Sequence, residues 1–388
     1  MKRHLRPLVA ALAATTALGA LSGCDEDPAP SRTLAASWQE VVLPLPPGPQ
    51  GRLAVRDAAR CAGHWYVVGG VLDDGSSRPA AWTSPDGKAW TSVPLAPTDF
   101  YAKKSVLSSV ACHGAEVAAI GSKSGGAHAL PRTSSWYRRP DGTLVDVEAG
   151  FELYGGPAAV SVNRVAAGDD DWLIAGNRRS GAAVWISPDA TEFRLVDDDP
   201  ALSSDARGPT SALGQVHDAD GWTVVGRRQP PGRISPVPLA WSSANGLHWR
   251  REQVPAGTSG FADLERAVAV PGGLLAVGIR GERFGAWSRV GGRWRSGPAF
   301  GRLAAHGGGA PFVSGLTADD GGALVAVSDG ERFGLWADRG TGWREVEVPV
   351  RPGTDGSSTL TVAGDGTSVL LLADDGRTGR VWLGAGPD

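Results

Sequence analysis

Cysteine, methionine, tyrosine and lysine are all scarce in this chain of 388 residues, with 3 Cys, 1 Met, 4 Tyr and only 5 of the 38 basic residues Lys. Three cysteines are too few to staple a coreless miniprotein. Charged residues make up only 20 % and the net charge is −3, so no basic field exists to neutralise a phosphate backbone, which excludes nucleic-acid binding by charge. Long apolar runs are missing too, which excludes a multi-span membrane protein. What is abundant is Gly (55), Pro (28) and Trp (15). Gly stands at about twice its usual share, and Pro plus Gly approaches the level of disordered chains. Apolar content of 41 % at regular spacing points instead to turn-rich β structure.

Residues 1–23 read as an export signal, with Lys2, Arg3, His4 and Arg6 ahead of an Ala/Leu-rich stretch from Leu8 to Leu21 that is too short to span a bilayer stably. The stretch ends in Leu21-Ser22-Gly23-Cys24, which resembles the lipobox of bacterial lipoproteins. That resemblance implies acylation of Cys24 as the first mature residue, and two chains would anchor the protein firmly where one binds only marginally. Residues 24–36 then read as a lipid-anchored flexible tether. The Arg excess over Lys and the abundance of Ala and Gly fit a GC-rich, actinobacterial genome. Together these place the protein outside the cytoplasm, on the outer face of the cell membrane.

An internal repeat fills the rest. Apolar runs end at Gly69, Gly121, Gly176, Gly226 and Gly278, and runs ending at Ser328 and Ala373 fit the same slot. Each is followed by a Trp: Trp82, Trp136, Trp185, Trp241, Trp287, Trp336 and Trp382, spaced by 54, 49, 56, 46, 49 and 46 residues. A tight turn such as Pro85-Asp86-Gly87 then leads to a second aromatic or apolar residue, for example Trp90, Trp249, Trp294 or Trp343. Each unit is therefore four strands, a to d. Strand b is apolar on both faces, so both must be buried. Radially stacked four-stranded sheets achieve this, and the chain reads as an all-β, seven-bladed propeller of antiparallel blades over residues 37–388. The seventh unit lacks a strand d, and Ser37-Trp38-Gln39-Glu40-Val41-Val42-Leu43-Pro44 resembles Trp343-Arg344-Glu345-Val346-Glu347-Val348-Pro349. The N-terminal strand, residues 37–45, is thus expected to complete blade 7 and close the ring. A pair of β-sandwiches is the competing architecture.

The hairpin Ser84-Pro85-Asp86-Gly87-Lys88-Ala89-Trp90 resembles the Asp-box of the sialidase superfamily, with one residue missing between Asp and Gly. Degenerate copies start at Ser187 and Ser243. The resemblance implies a sialidase-like propeller whose hairpins lie on the face away from an active site, so it carries the fold and not catalysis. A sialidase-like hydrolase needs three converging Arg, a Tyr nucleophile with a Glu partner, and an acid. No such set is evident: Tyr66 and Tyr137 fall on strands, while Tyr101 and Tyr154 fall in connecting loops, with Glu152 near Tyr154.

No metal and no cofactor is expected. The histidines lack paired ligand spacing, and Asp197-Asp198-Asp199 reads as a solvated acidic loop rather than a Ca²⁺ site. One pattern exceeds the fold. Arg78, Arg132, Arg283 and Arg332 each stand four residues before a strand-c Trp. They are expected at the b–c loops, on the face shared with the d–a loops expected to carry Phe100, Tyr101, Phe151, Tyr154, Phe261 and Phe300. Arg with aromatics on one face suits a ligand or partner; pairing of each Arg with a neighbouring blade's acid, such as Glu282 or Glu331, is the structural alternative. Cys61 and Cys112 occupy equivalent a–b turns of adjacent blades, and an exported chain can bond them. The leading expectation is a non-catalytic, monomeric cell-surface lipoprotein that recognises a protein or a glycan through the loop face. A sialidase-like glycoside hydrolase or other carbohydrate-active enzyme is the alternative, and an assembly factor for exported proteins the third.

Overall fold

A computed structural model describes residues 33–125, 131–257, 260–306, 308–319 and 321–387. The expected export signal, the expected acylation site Cys24 and the expected tether up to Arg32 lie outside the described residues. The rest forms seven antiparallel sheets in chain order. Their innermost strands, a, are Arg52–Cys61, Val106–His113, Ala159–Ala167, Thr210–Asp218, Arg266–Val270, Phe312–Asp319 and Thr359–Gly364. Each is followed outward by strands b, c and d. Blade 2 gains a fifth strand, Leu95–Ala96, laid parallel against its outer edge by the incoming linker.

Trp38–Val41 pairs antiparallel with Gly379–Ala385, so the N-terminal strand is strand d of blade 7 and the ring is closed. The expected tether ends earlier than Ala36. Leu34 bridges to Val346, its N–H donates to Glu345 at 2.7 Å, and its side chain is buried between blades 6 and 7. Its apolar side chain gains more from that cleft than from water.

The repeat's glycines have a steric cause. In blades 1 to 4 strand a carries a β-bulge opposite Gly69, Gly121, Gly176 and Gly226. In blade 5 Ala262 pairs with Arg280 and Arg266 with Val277, so an extra residue again sits opposite the Gly278 region. A Cβ at Gly69, Gly226 or Gly278 would collide with the carbonyl oxygen of Ala54, Ser211 or Asp263. Blade 7 pairs without a bulge and needs no glycine there. In blade 6 Val327, not Ser328, faces the bulge, so there the bulge leaves room for a side chain and glycine is not required.

Six of the seven strand-c tryptophans are buried, and Trp336 is half-buried. Four have a further task. The indole N–H of Trp82, Trp185, Trp241 and Trp287 donates to Pro44, Leu153, Ala201 and Pro255 at 2.7 to 2.9 Å. Each acceptor lies in the linker that enters that blade from the previous one. The indole thus fills the blade and fastens the linker. At the opposite face the c–d hairpins of blades 1 and 4 share one pattern: Asp86 accepts the N–H groups of Lys88 and Ala89, and the Trp90 indole donates to Gly87. Asn245, Gly246 and Trp249 repeat it in blade 4. Cys61 and Cys112 are joined by a disulfide between blades 1 and 2, with Cα atoms 5.6 Å apart.

Candidate functional site

The linkers between blades 1, 2 and 3 build a cluster on the d–a and b–c loop face. Buried Asp146, on strand d of blade 2, accepts the N–H of Thr98 at 2.6 Å and of Asp99 at 3.1 Å. Asp99 in turn accepts Tyr101 N–H at 2.6 Å and starts the turn Ala102–Lys104. This folding of the linker leaves Phe100 and Tyr101 pointing outward. The second linker forms one helical turn, Phe151–Tyr154. Arg178 donates to Gly155 at 2.7 Å and Trp185 to Leu153, which holds the turn down and leaves Phe151 60 % exposed.

Arg132 opens strand c of blade 2 and lies between these linkers. Its guanidinium carbon is 4.5 Å from the Phe151 ring centre and 5.7 Å from that of Tyr101. Its Nε is buried without an acceptor, and no carboxylate pairs with it among the described residues. Asp99, Tyr101, Arg132, Phe151 and Tyr154 line a pocket of about 190 Å³, and a second of about 130 Å³ adjoins it toward Val160 and Ser161. Lys104 stands 4.3 Å from the Phe100 ring. Three of the six residues singled out from sequence, Tyr101, Arg132 and Tyr154, therefore meet here.

Their parts differ. Tyr154 is buried against Trp185 at 5.8 Å, and its hydroxyl donates to Ser135 at 3.0 Å. Burial drives its phenol far above the ordinary range, so it is a wall of the pocket with its proton held. The other three Arg do not join Arg132. Arg78 donates to the carbonyls of Pro46 and Pro49, both at 2.9 Å, and so ties down the linker into blade 1. Arg283 donates to Gly301 at 2.9 Å. Arg332 is exposed, 3.8 Å from Asp329. Linker carbonyls and a carboxylate of its own loop, rather than Glu282 or Glu331, take up these guanidiniums.

The apolar surface is distributed unevenly. Among the described residues the exposed large apolar side chains are Val42, Phe100, Tyr101, Phe151, Val160, Ile234, Val290 and Phe312. All but Val290 lie on linkers, b–c loops or the first residues of strand a, and so at one face. Asp199 is used internally, accepting the N–H of Ala201 at 2.7 Å and of Trp249 at 3.1 Å.

A channel of about 360 Å³ runs between the seven inner strands, lined among others by Asp57, Arg164, Gln215 and Arg266. Asp57 accepts Arg164 at 2.5 Å across the channel and Val110 N–H at 2.9 Å. Behind the lining, Glu265 accepts Val313 N–H at 2.5 Å, and Asp263 accepts Arg227 at 3.2 Å. Burial and the Asp263 charge push Glu265 up to about 8, while burial and the Arg164 charge bring Arg266 down to about 10. Sequence reading missed this group. Its only signal was charge within strand a, which lacks the continuous apolar run that made strand b legible.

No protein-family model matches the sequence, and no curated protein matches it. Solved structures share the fold at low identity. The β-propeller domain of the Trilobed protease from Pyrococcus furiosus, described as having an open velcro topology, is 11 % identical over 87 % of this chain and 95 % of its own, with a TM-score of 0.53. The Pyrococcus horikoshii acylaminoacyl peptidase is 11 % identical over 86 % of this chain and 52 % of its own, at 0.48. The Trypanosoma rangeli sialidase in complex with the inhibitor DANA is 10 % identical over 90 % of this chain and 59 % of its own, at 0.45. The likeness to the first of these is one of propeller fold alone.

Proposed function

We propose that this chain is a lipoprotein, anchored through Cys24 on the outer face of the cell membrane, whose propeller is a non-catalytic binding module for a protein partner. The observation that carries the reading is the cluster around Arg132. A guanidinium that has no carboxylate partner among the described residues lies between two exposed aromatic rings, on the face that holds nearly all the exposed apolar residues described. Tyr, Phe and Arg packed in this way form the hot-spot chemistry of protein interfaces. The tether would leave that face free to meet another surface protein. The c–d hairpins, similar to Asp-boxes, are blade-folding elements at the other end.

A photo-crosslinking amino acid placed at Phe151 in the anchored protein tests this, with the same probe at Val290 as the control on the opposite face. One discrete adduct from position 151, lost in Arg132→Ala and missing from position 290, is expected. Equal labelling from both faces, or turnover of fluorogenic glycosides by the soluble domain that Arg132→Ala abolishes, would overturn the reading in favour of no partner surface or of the hydrolase.

A further inference from the structure

The channel holds a charge that its own side chains leave uncompensated. The residue just after the bulge in strand a is Asp57, Ser109, Arg164, Gly214, Arg266 and Gly315 in blades 1 to 6. This layer carries two guanidiniums and one carboxylate. Asp57 is engaged by Arg164 Nη2, while Arg266 Nη1 is spent on the carbonyls of Leu213 and Glu265 at 3.1 and 2.8 Å. Among the described residues nothing accepts from Arg164 Nε or Nη1 or from Arg266 Nη2, although both side chains line the channel. Glycine on either side of Arg266 puts no side chain beside it in the layer. A Cβ at Gly214 would lie 2.5 Å from the Glu265 carbonyl, and one at Gly315 only 2.9 Å from Val362 N.

The surrounding acids are occupied elsewhere. Asp374 is taken by Arg52 and Arg56, Asp365 by Arg60, and Asp263 by Arg227. Glu265 points away to blade 6, and its raised pKa leaves it largely protonated at neutral pH. Two partly desolvated guanidiniums that repel each other are relieved by an anion between them, and the planar fork of Arg matches an oxyanion.

We propose that the channel binds a compact oxyanion, a phosphate, sulfate or carboxylate group, between Arg164 and Arg266. This site is independent of the Arg132 face. The test uses the purified chain with inorganic phosphate, sulfate and acetate, against chloride at matched ionic strength. At 10 mM at least one oxyanion should raise Tm by roughly 2 °C or more over chloride, with saturable heat in calorimetry. The arm that responds names the group. Arg164→Gln and Arg266→Gln should each weaken binding at least about tenfold, and Arg132→Ala should leave it unchanged. Should Arg266→Gln fail to fold, Arg164→Gln and the charge-retaining Arg164→Lys decide. No oxyanion acting beyond chloride, or binding that survives Arg164→Gln, would overturn the proposal.

Discussion

Gly226 is fixed by the backbone that faces it, not by any conformational freedom of its own. A Cβ there would strike the Ser211 carbonyl, whereas nothing lies within 4 Å of a Cβ at Gly232, whose φ is +72°. Gly226→Ala is therefore expected to cost on the order of 3 kcal/mol or more in urea unfolding, because the bulge must move. Gly232→Ala should cost about 1 kcal/mol, from the left-handed backbone alone. Glu265 gives a second prediction, in pH. Its folded pKa of about 8 is above its value in the unfolded chain, so the folded state binds the proton more tightly. Stability from this group is full below about pH 4.3 and is lost as pH rises toward 8. Wild-type Tm should fall across pH 5 to 8, and Glu265→Gln should flatten that fall and raise Tm at pH 8. The neighbours that share the titration are Asp263, Arg227 and Arg266. An unchanged slope would refute the assignment.

At the scale of elements, the strand-c tryptophan joins each blade to its incoming linker. Trp241→Phe keeps most of the apolar volume but loses the bond to Ala201, whose carbonyl then keeps only the Arg251 Nε–H at 2.6 Å. A loss of about 1 kcal/mol is expected in chemical denaturation. The local effect should exceed the global one, with faster amide exchange confined to residues 199–204. The sequence announced the strand-c tryptophans through their spacing. It was silent on the acceptors, because carbonyls in linkers of varied length and composition leave no pattern. The same holds for the Arg row. Four residues at one repeat position look equivalent in sequence. Yet Arg78 and Arg283 serve linker carbonyls, Arg332 an aspartate of its own loop, and Arg132 two aromatic rings. Linker geometry sets those outcomes blade by blade.

For the whole molecule, closure of the ring is the critical joint. Trp38–Val41 completes blade 7, Val41 and Leu43 enter the core between blades 7 and 1, and Leu34 seals the edge of blade 6. Buried Asp374 adds a polar clasp, accepting Arg52 at 3.0 Å and Arg56 at 2.7 Å from blade 1. Removing one partner of such a pair strands the others. Asp374→Ala should cost about 3–5 kcal/mol, and calorimetry should show a single lowered transition. Deleting residues 33–43 should lower Tm further and expose blade 7 to proteolysis first. A deletion that melts like the intact chain would mean that closure contributes nothing.

Period and burial were legible from the chain alone, since a strand apolar on both faces, repeated seven times with Trp at a fixed offset, has few packings that dry both sides. The missing strand d of blade 7 and the orphan strand at residues 37–45 likewise fixed the closure, because an unpaired sheet edge demands a partner. The disulfide partners could be paired by their equivalent turns. Three things were decided only in three dimensions. A bulge inserts one residue with no compositional mark, so neither the reason for the glycines nor the layer of Asp57, Arg164 and Arg266 could be read in advance. Which loop residues meet depends on how each linker is fastened, and this gathers Tyr101, Arg132 and Phe151 while sending Arg78, Arg283 and Arg332 elsewhere. Period is a local property of the chain, whereas a site is made by residues from different blades, whose distances only the closed ring sets.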